Sequence, residues 1–105
     1  MRLRYLPLTI LMTSLALAGS AQAADTATQA RELINSQGCK GCHRIDGQGG
    51  SLAPELKDMS KKWTAATLRQ RLLTSSTAKD GVVMPAFDHL SGDDLDLLVA
   101  FLLKQ

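Results

Sequence analysis

The chain is poor in aromatic residues and in cysteine. Its 105 residues contain two Phe, one Trp, one Tyr and two Cys. The tyrosine lies in an N-terminal segment that we expect to be removed, which leaves Trp63, Phe87 and Phe101 as the aromatic residues of the domain. A domain this small usually needs a disulfide, a metal, a cofactor or a partner for stability. Because Cys39 and Cys42 are only three positions apart, a bridge between them would restrain little of the unfolded chain. We therefore expect another component to complete the core.

The N-terminus lacks an apolar run long enough to span a membrane. Residues 5–18 are mostly apolar but are interrupted by polar residues and a proline, and a spanning helix needs about 20 apolar residues. The run follows a short basic segment and precedes Ala21-Gln22-Ala23, a small-x-small cleavage pattern. We predict that residues 1–23 are a cleaved secretory signal peptide and that residues 24–105 form the mature domain. An uncleaved membrane anchor is the less favoured alternative. The mature form is therefore expected in the periplasm, with no membrane span.

The mature domain also lacks an excess of charge of one sign. Lys and Arg number 12 and Asp and Glu number 10, and two of the arginines belong to the signal segment. The remaining charges balance, which argues against a nucleic-acid partner, since that would need a net basic domain or patch. A local basic cluster is interpreted as a solvated helical face in preference to a docking patch. The cluster consists of Lys57, Lys61, Lys62, Arg69 and Arg71.

No β-type alternation of useful length and no internal repeat is present, so the pattern predicts an all-α fold. Helical spacing of apolar residues and a Thr26/Gln29 capping box predict a first helix over about 26–37. A short helical turn is expected over 55–60, and a second helix from residue 63 or 64 to residue 73. The last helix is expected after Ser91, which stands in a capping position with acidic residues in the first turn.

The segment Cys39-Lys40-Gly41-Cys42-His43 is a C-x-x-C-H motif, the haem attachment signature. Two thiols at this spacing can add to the two vinyl groups of one porphyrin, and the adjacent imidazole is then delivered to the iron. A zinc site would need about four ligands, and the other histidine, His89, lies 46 residues beyond His43. A thioredoxin-like dithiol would need a βαβ context, and a plain disulfide would leave the histidine unexplained. We predict one covalently attached haem c, with His43 as a ligand of its iron.

A second iron ligand must come from elsewhere in the chain, and the candidates are Met59, Met84, His89 and the lysines. Met59 lies among charged residues and is interpreted as a surface or rim residue. Met84 lies in an apolar segment that Pro85 biases away from helix, so its sulfur could reach a pocket. We favour Met84 as the ligand, with His89 as the alternative.

The mature chain resembles the class I c-type cytochromes, which are small monohaem electron carriers. The resemblance covers essentially all of residues 24–105. It rests on the C-x-x-C-H motif, on Met84-Pro85 ahead of the last helix, and on the pattern of that helix. The pattern is Leu90-Ser91-x-x-Asp94-x-x-x-Leu98-x-x-Phe101-Leu102.

The resemblance implies the small cytochrome c fold, with three to four helices wrapped around one covalently attached haem. It implies His43 and Met84 as axial ligands on opposite faces of the iron. It further implies that the carbonyl of Pro54 accepts a hydrogen bond from His43. For Trp63 it implies a contact with a haem propionate, and simple core packing is a nearly equal alternative.

The function expected on these grounds is electron transfer in the periplasm. The protein would be a soluble, monomeric carrier that cycles haem iron between Fe(II) and Fe(III) and meets redox proteins transiently at an exposed haem edge. With two strong ligands on the iron, no enzymatic activity is expected. Two alternatives are a haem subunit of a periplasmic dehydrogenase or oxidase complex, and a haem enzyme or sensor whose sixth ligand position opens.

Overall fold

The computed structural model describes residues 16–105, with side chains from Asp25 onward. The predicted signal segment, residues 1–23, lies mostly outside the described residues. Over residues 16–105, four α-helices are connected by loops that contain one 3-10 turn and four two-residue strands. The helices are α1 (Ala16–Ser36), α2 (Met59–Lys62), α3 (Ala65–Leu73) and α4 (Gly92–Leu102), and the 3-10 turn is Cys39–Gly41. The strands are β1 (Arg44–Ile45), β2 (Gln48–Gly49), β3 (Ser76–Thr77) and β4 (Val83–Met84).

The two helices with the clearest start signals are α3 and α4. The Thr64 hydroxyl accepts a hydrogen bond from the Thr67 N–H at 3.2 Å, and the Thr67 hydroxyl accepts one from the Thr64 N–H at 2.9 Å. The Ser91 hydroxyl accepts a hydrogen bond from the Asp94 N–H at 3.1 Å. Side chains thus satisfy backbone donors that the first turn of a helix leaves unpaired. Both helices were expected from the sequence at these positions.

Two expected boundaries are wrong. Helix α1 already includes Ala16, the first described residue, so Thr26 lies inside the helix rather than at its start. The reason is the alanine-rich sequence before Thr26, because alanine has the highest helix propensity. The helical turn expected over 55–60 lies later in the chain, as α2 (Met59–Lys62). Before α2 the chain is instead held to the first hairpin, because the Leu56 N–H donates to the Arg44 carbonyl at 2.9 Å.

The four strands form two small antiparallel ladders that leave the all-α architecture intact. Strand β1 pairs with β2, and β3 pairs with β4. The turn between β1 and β2 consists of Asp46 (φ 51°) and Gly47 (φ 74°). Positive φ at both central residues is the type I′ geometry that two-residue hairpins favour, and Asp-Gly suits it.

A single apolar core lies between α1, α3 and α4, and the first hairpin adds Ile45 to it. Its members are Ala30, Ile34, Ile45, Met59, Leu68, Leu72, Phe87, Leu95, Leu98, Val99, Phe101 and Leu102. The expectation that Met59 is a surface or rim residue is therefore wrong, since its side chain is only 4% exposed. Its N–H donates to the carbonyl of Gln105 at 3.1 Å, which ties α2 to the end of the chain. In the described part of the chain, no helix is long and apolar enough to cross a membrane.

Candidate functional site

A cavity of about 410 Å³ opens into the core, a volume within the range of about 300–1,000 Å³ typical of ligand sites. Half of the buried core residues also line this cavity, so the cavity lies inside the core and not beside it. These residues are Met59, Leu68, Leu72, Phe87, Leu98 and Leu102. The helices thus leave a space that a large apolar group could fill.

The C-x-x-C-H segment forms one wall of the cavity. After α1 the chain turns through Gly38, which has a φ of 75°, and enters the 3-10 turn that starts at Cys39. The His43 N–H donates to the Cys39 carbonyl at 2.9 Å, which closes the segment into a compact turn. Cys39, Cys42 and His43 are half-buried and line the cavity together, and both cysteines are free thiols. Burial raises the pKa of the Cys39 thiol, which favours its neutral form.

The imidazole of His43 is held in one tautomer. Its Nδ1 lies 2.6 Å from the carbonyl oxygen of Pro54. A carbonyl can only accept, so Nδ1 carries the proton and Nε2 keeps a free lone pair. The Ala53 N–H donates to the Cys42 carbonyl at 3.0 Å and thereby keeps Pro54 beside the motif. The arrangement prepares Nε2 of His43 to bind a metal ion, as hydrogen bonds to ligating histidines usually do.

The glycine-rich loop after His43 packs closely against the motif, which the sequence did not indicate. A Cβ atom on Gly49 would fall on the His43 carbonyl oxygen, and a Cβ on Gly50 would lie 2.5 Å from the Gly41 carbonyl oxygen. The Gly50 N–H also donates to the Lys40 carbonyl at 2.9 Å. The absence of side chains at these two glycines lets this part of the hairpin lie directly on the attachment segment.

Met84 lies on the cavity wall and is half-buried. Strand pairing between Ser76 and Met84 fixes its backbone, and the Phe87 N–H donates to the Leu72 carbonyl at 2.8 Å just beyond it. Met59 also lines the cavity. The structure therefore brings Met84 to the same cavity as the C-x-x-C-H motif.

The remaining predicted residues are Trp63, His89 and the members of the basic cluster. Trp63 is half-buried and lines the cavity. His89 is exposed, and its Nε2 lies 2.7 Å from Oε1 of Gln37. Lys62 and Arg71 are the basic side chains that line the cavity in the described part of the chain.

The other members of the basic cluster pair with nearby carboxylates. Lys57 lies 3.7 Å from Glu55, and Lys61 lies 3.8 Å from Asp58. Arg69 joins α3 to Asp96 of α4 at 3.1 Å. The cluster therefore divides into locally paired charges and two cations at the cavity.

The donor set fits a covalently attached haem. Two thiols, an imidazole with a free Nε2 and a thioether line one largely apolar cavity, and these are groups that attach a c-type haem and bind its iron. Hard cations prefer carboxylate ligands. Among the described residues, the carboxylate that lines the cavity is that of Glu55, and Glu55 is exposed. The chemistry of the wall thus matches haem iron.

Comparison with known proteins agrees with this assignment. A family model described as cytochrome c oxidase, cbb3-type, subunit III matches residues 25–102. The chain is also similar to cytochrome c oxidase subunit 2 of Alkalihalophilus pseudofirmus, with 27% identity over 84 residues. That similarity covers 72% of this chain and 25% of the relative, so the chain spans about a quarter of the length of the relative.

The match extends over most of the chain and includes the attachment motif, the Met84 strand and three of the four helices in full. Membership implies a covalently bound haem with iron and a role in electron transfer. The helices around a cavity that carries a C-x-x-C-H wall are those of the small cytochrome c fold. This chain therefore belongs to the class I c-type cytochromes, in the family described as cytochrome c oxidase, cbb3-type, subunit III.

Proposed function

We propose that this protein is a periplasmic single-electron carrier with one haem. Cys39 and Cys42 would hold the haem through thioether bonds, and His43 and Met84 would bind its iron from opposite sides. When bound, the haem supplies an iron that changes between Fe(II) and Fe(III). The observation that carries the proposal is the 2.6 Å contact between His43 Nδ1 and the Pro54 carbonyl, because it leaves Nε2 free beside the two thiols.

The residues of this chain would set the redox properties of the site. A neutral, soft thioether from Met84 favours the ferrous state and so raises the reduction potential. The buried wall, including Leu68, Leu98 and Phe87, excludes water and lowers the reorganisation that accompanies a change of charge. Trp63, at the cavity, is proposed to donate its indole N–H to a haem propionate.

Two protein ligands on the iron leave no position for a substrate, so we propose a carrier and not an enzyme. We propose that it acts as a monomer and meets its redox partners transiently, through an interface below about 1,200 Å² as is usual for electron-transfer encounters. A cleaved signal over residues 1–23 would deliver it to the periplasm. The mass of the exported chain should then correspond to residues 24–105 with one haem.

A second function is favoured by the comparisons, since the matched family and the relative are both named as oxidase subunits. In that case the same electron transfer would occur in a permanent complex. Size-exclusion chromatography of extracts from the native host separates the two. A haem-containing peak at the size of the single domain supports the free carrier, and a peak at the size of an oxidase supports the subunit.

The ligand set is tested by visible spectroscopy of haem-loaded ferric protein. We expect the weak red band of an iron–methionine bond in the wild type. Met84→Ala should remove this band, lower the reduction potential and allow carbon monoxide to bind the ferrous iron. Met59 also lines the cavity, but its side chain packs in the buried core and is not the proposed ligand. Met59→Ala should therefore keep the band.

The opposite pattern would refute the assignment. If His89→Ala abolishes low-spin ligation while Met84→Ala has no effect, the iron has two histidine ligands. A protein mass without added haem would refute covalent attachment.

A further inference from the structure

The imidazole of His89 connects two parts of the chain that are distant in sequence. Its Nε2 lies 2.7 Å from the side-chain oxygen of Gln37, and an amide oxygen only accepts, so the Nε2–H donates. The ring also packs against Phe87, with ring centroids 6.2 Å apart and planes tilted by 49°. Phe87 is buried and lines the cavity. The His89 ring is therefore oriented by the cavity wall on one side and by Gln37 on the other.

The chain around Met84, residues 76–90, is here called the Met84 segment. The Phe87 N–H donates to the Leu72 carbonyl, which anchors the segment to α3, and Met84 pairs with Ser76 within the segment. These bonds hold the segment to one side of the cavity.

Gln37, Gly38 and the attachment motif also lie on the cavity wall. Gln37 directly follows α1, precedes Cys39 by two residues and lines the cavity. The His89–Gln37 hydrogen bond therefore runs from the Met84 segment to the chain that carries Cys39. It crosses from the side of one proposed iron ligand to the side of the haem attachment.

We propose that this hydrogen bond is a latch that keeps the Met84 segment closed over the cavity. His89 is then a positioning residue, which acts on the iron through Met84 and without touching it. The inference rests on the proposed ligation by Met84. It assigns to His89 and Gln37 control over how readily an external ligand replaces the methionine.

The latch would control the small fraction of molecules in which Met84 has left the iron, here called open molecules. An external ligand binds only after Met84 leaves the iron, so its apparent affinity scales with the fraction of open molecules. A hydrogen bond of this kind shifts such an equilibrium roughly three- to tenfold. Loss of the latch should therefore lower the apparent dissociation constant by about this factor. The resting spectrum should not change, because Met84 remains the favoured ligand.

The test is a titration of the ferric haem-loaded protein with imidazole, followed by loss of the weak red band. Gln37→Ala and His89→Ala should each bind imidazole about three to ten times more tightly than the wild type. The double variant should match the single variants, because all three lack the same bond. Gln37→Glu keeps an acceptor oxygen for His89 and should restore affinity to that of the wild type.

Gln70→Ala is the matched control, since Gln70 is an exposed glutamine that bonds to Thr74 at the end of α3. It should bind imidazole like the wild type. Unchanged affinity in both single variants, with the red band present, would overturn the latch and leave the ligand set standing. Additive effects of the two substitutions would also overturn it, because the residues would then act separately. Absence of the red band in the wild type would overturn the proposed ligation by Met84 and the latch with it.

Discussion

Substitution of Gly49 by alanine should damage the protein more than the same change two residues earlier, at Gly47. Both positions have positive φ, 122° at Gly49 and 74° at Gly47. An added Cβ on Gly47 would meet no atom within 4 Å, whereas one on Gly49 would fall on the His43 carbonyl oxygen. Gly50 completes the set, because its φ is not in the positive range but its Cβ would lie 2.5 Å from the Gly41 carbonyl oxygen. The three substitutions separate backbone strain from steric contact.

The expected losses in the free energy of unfolding follow from these two effects. Gly47→Ala places alanine in a left-handed conformation, which costs about 1–2 kcal/mol. Because alanine also reduces the freedom of the unfolded chain, part of this cost is offset, and we expect a net loss of about 1 kcal/mol. Gly50→Ala overpacks against backbone that cannot rotate away, at about 1–3 kcal/mol. Gly49→Ala combines both effects and should lose about 3–5 kcal/mol. A domain of this size has about 4–12 kcal/mol in total, so the Gly49 variant should lose a large share of its stability.

Guanidinium unfolding of the haem-loaded proteins measures these losses through the midpoint and the slope of the transition. The red band should also weaken in the Gly49 variant, because the backbone that must move carries His43. Equal losses for Gly47→Ala and Gly49→Ala would refute the reasoning. That result would mean that the hairpin does not lie on the attachment segment.

Three further predictions concern the core and its cofactor. Met59→Ala should lower the free energy of unfolding by about 2–4 kcal/mol in guanidinium titrations, because the side chain is buried, and a loss typical of a surface site would contradict this. Arg31→Gln should cost about 1 kcal/mol, because Arg31 lies 3.2 Å from Asp46 and 5.0 Å above the ring of Phe101. The control Arg69→Gln removes an ion pair alone and should cost about 0.5 kcal/mol; the opposite order would argue against the ring contact. Without haem, the chain should lose its cooperative thermal transition in calorimetry, because the cavity lies within the core. A sharp transition equal to that of the haem-loaded form would contradict this.

Local signals were enough to predict α3, α4 and the attachment motif. The apolar spacing of α3, the cap at Ser91 and the spacing of C-x-x-C-H are each set by residues a few positions apart. The start of α1 was wrong because the Thr26/Gln29 pair resembles a cap, while the alanines before it continue the helix.

The features that were missed depend on contacts between distant residues. Met59 has charged neighbours in sequence, but its place at the start of the short helix α2 directs it into the core. The packing of Gly49 against His43 is a contact between backbone atoms, which leaves no hydrophobic pattern. The His89–Gln37 hydrogen bond joins residues 52 positions apart, and no local sequence pattern around either residue predicts it.

The contact between His43 and Pro54 fixes which nitrogen of the imidazole carries the proton. The resemblance implied that the Pro54 carbonyl accepts from the imidazole, and the two atoms lie 2.6 Å apart. The geometry adds that Nε2 is the nitrogen left for a metal. The tautomer of the proposed iron ligand thus follows from one distance.

A reductive titration of the matured protein, followed by visible absorption, tests most directly whether one haem is held by two protein ligands. We expect one transition that fits a single one-electron Nernst curve, with low-spin haem spectra in both end states. A high-spin spectrum in either state, or a transition in more than one step, would contradict a single haem held by two protein ligands.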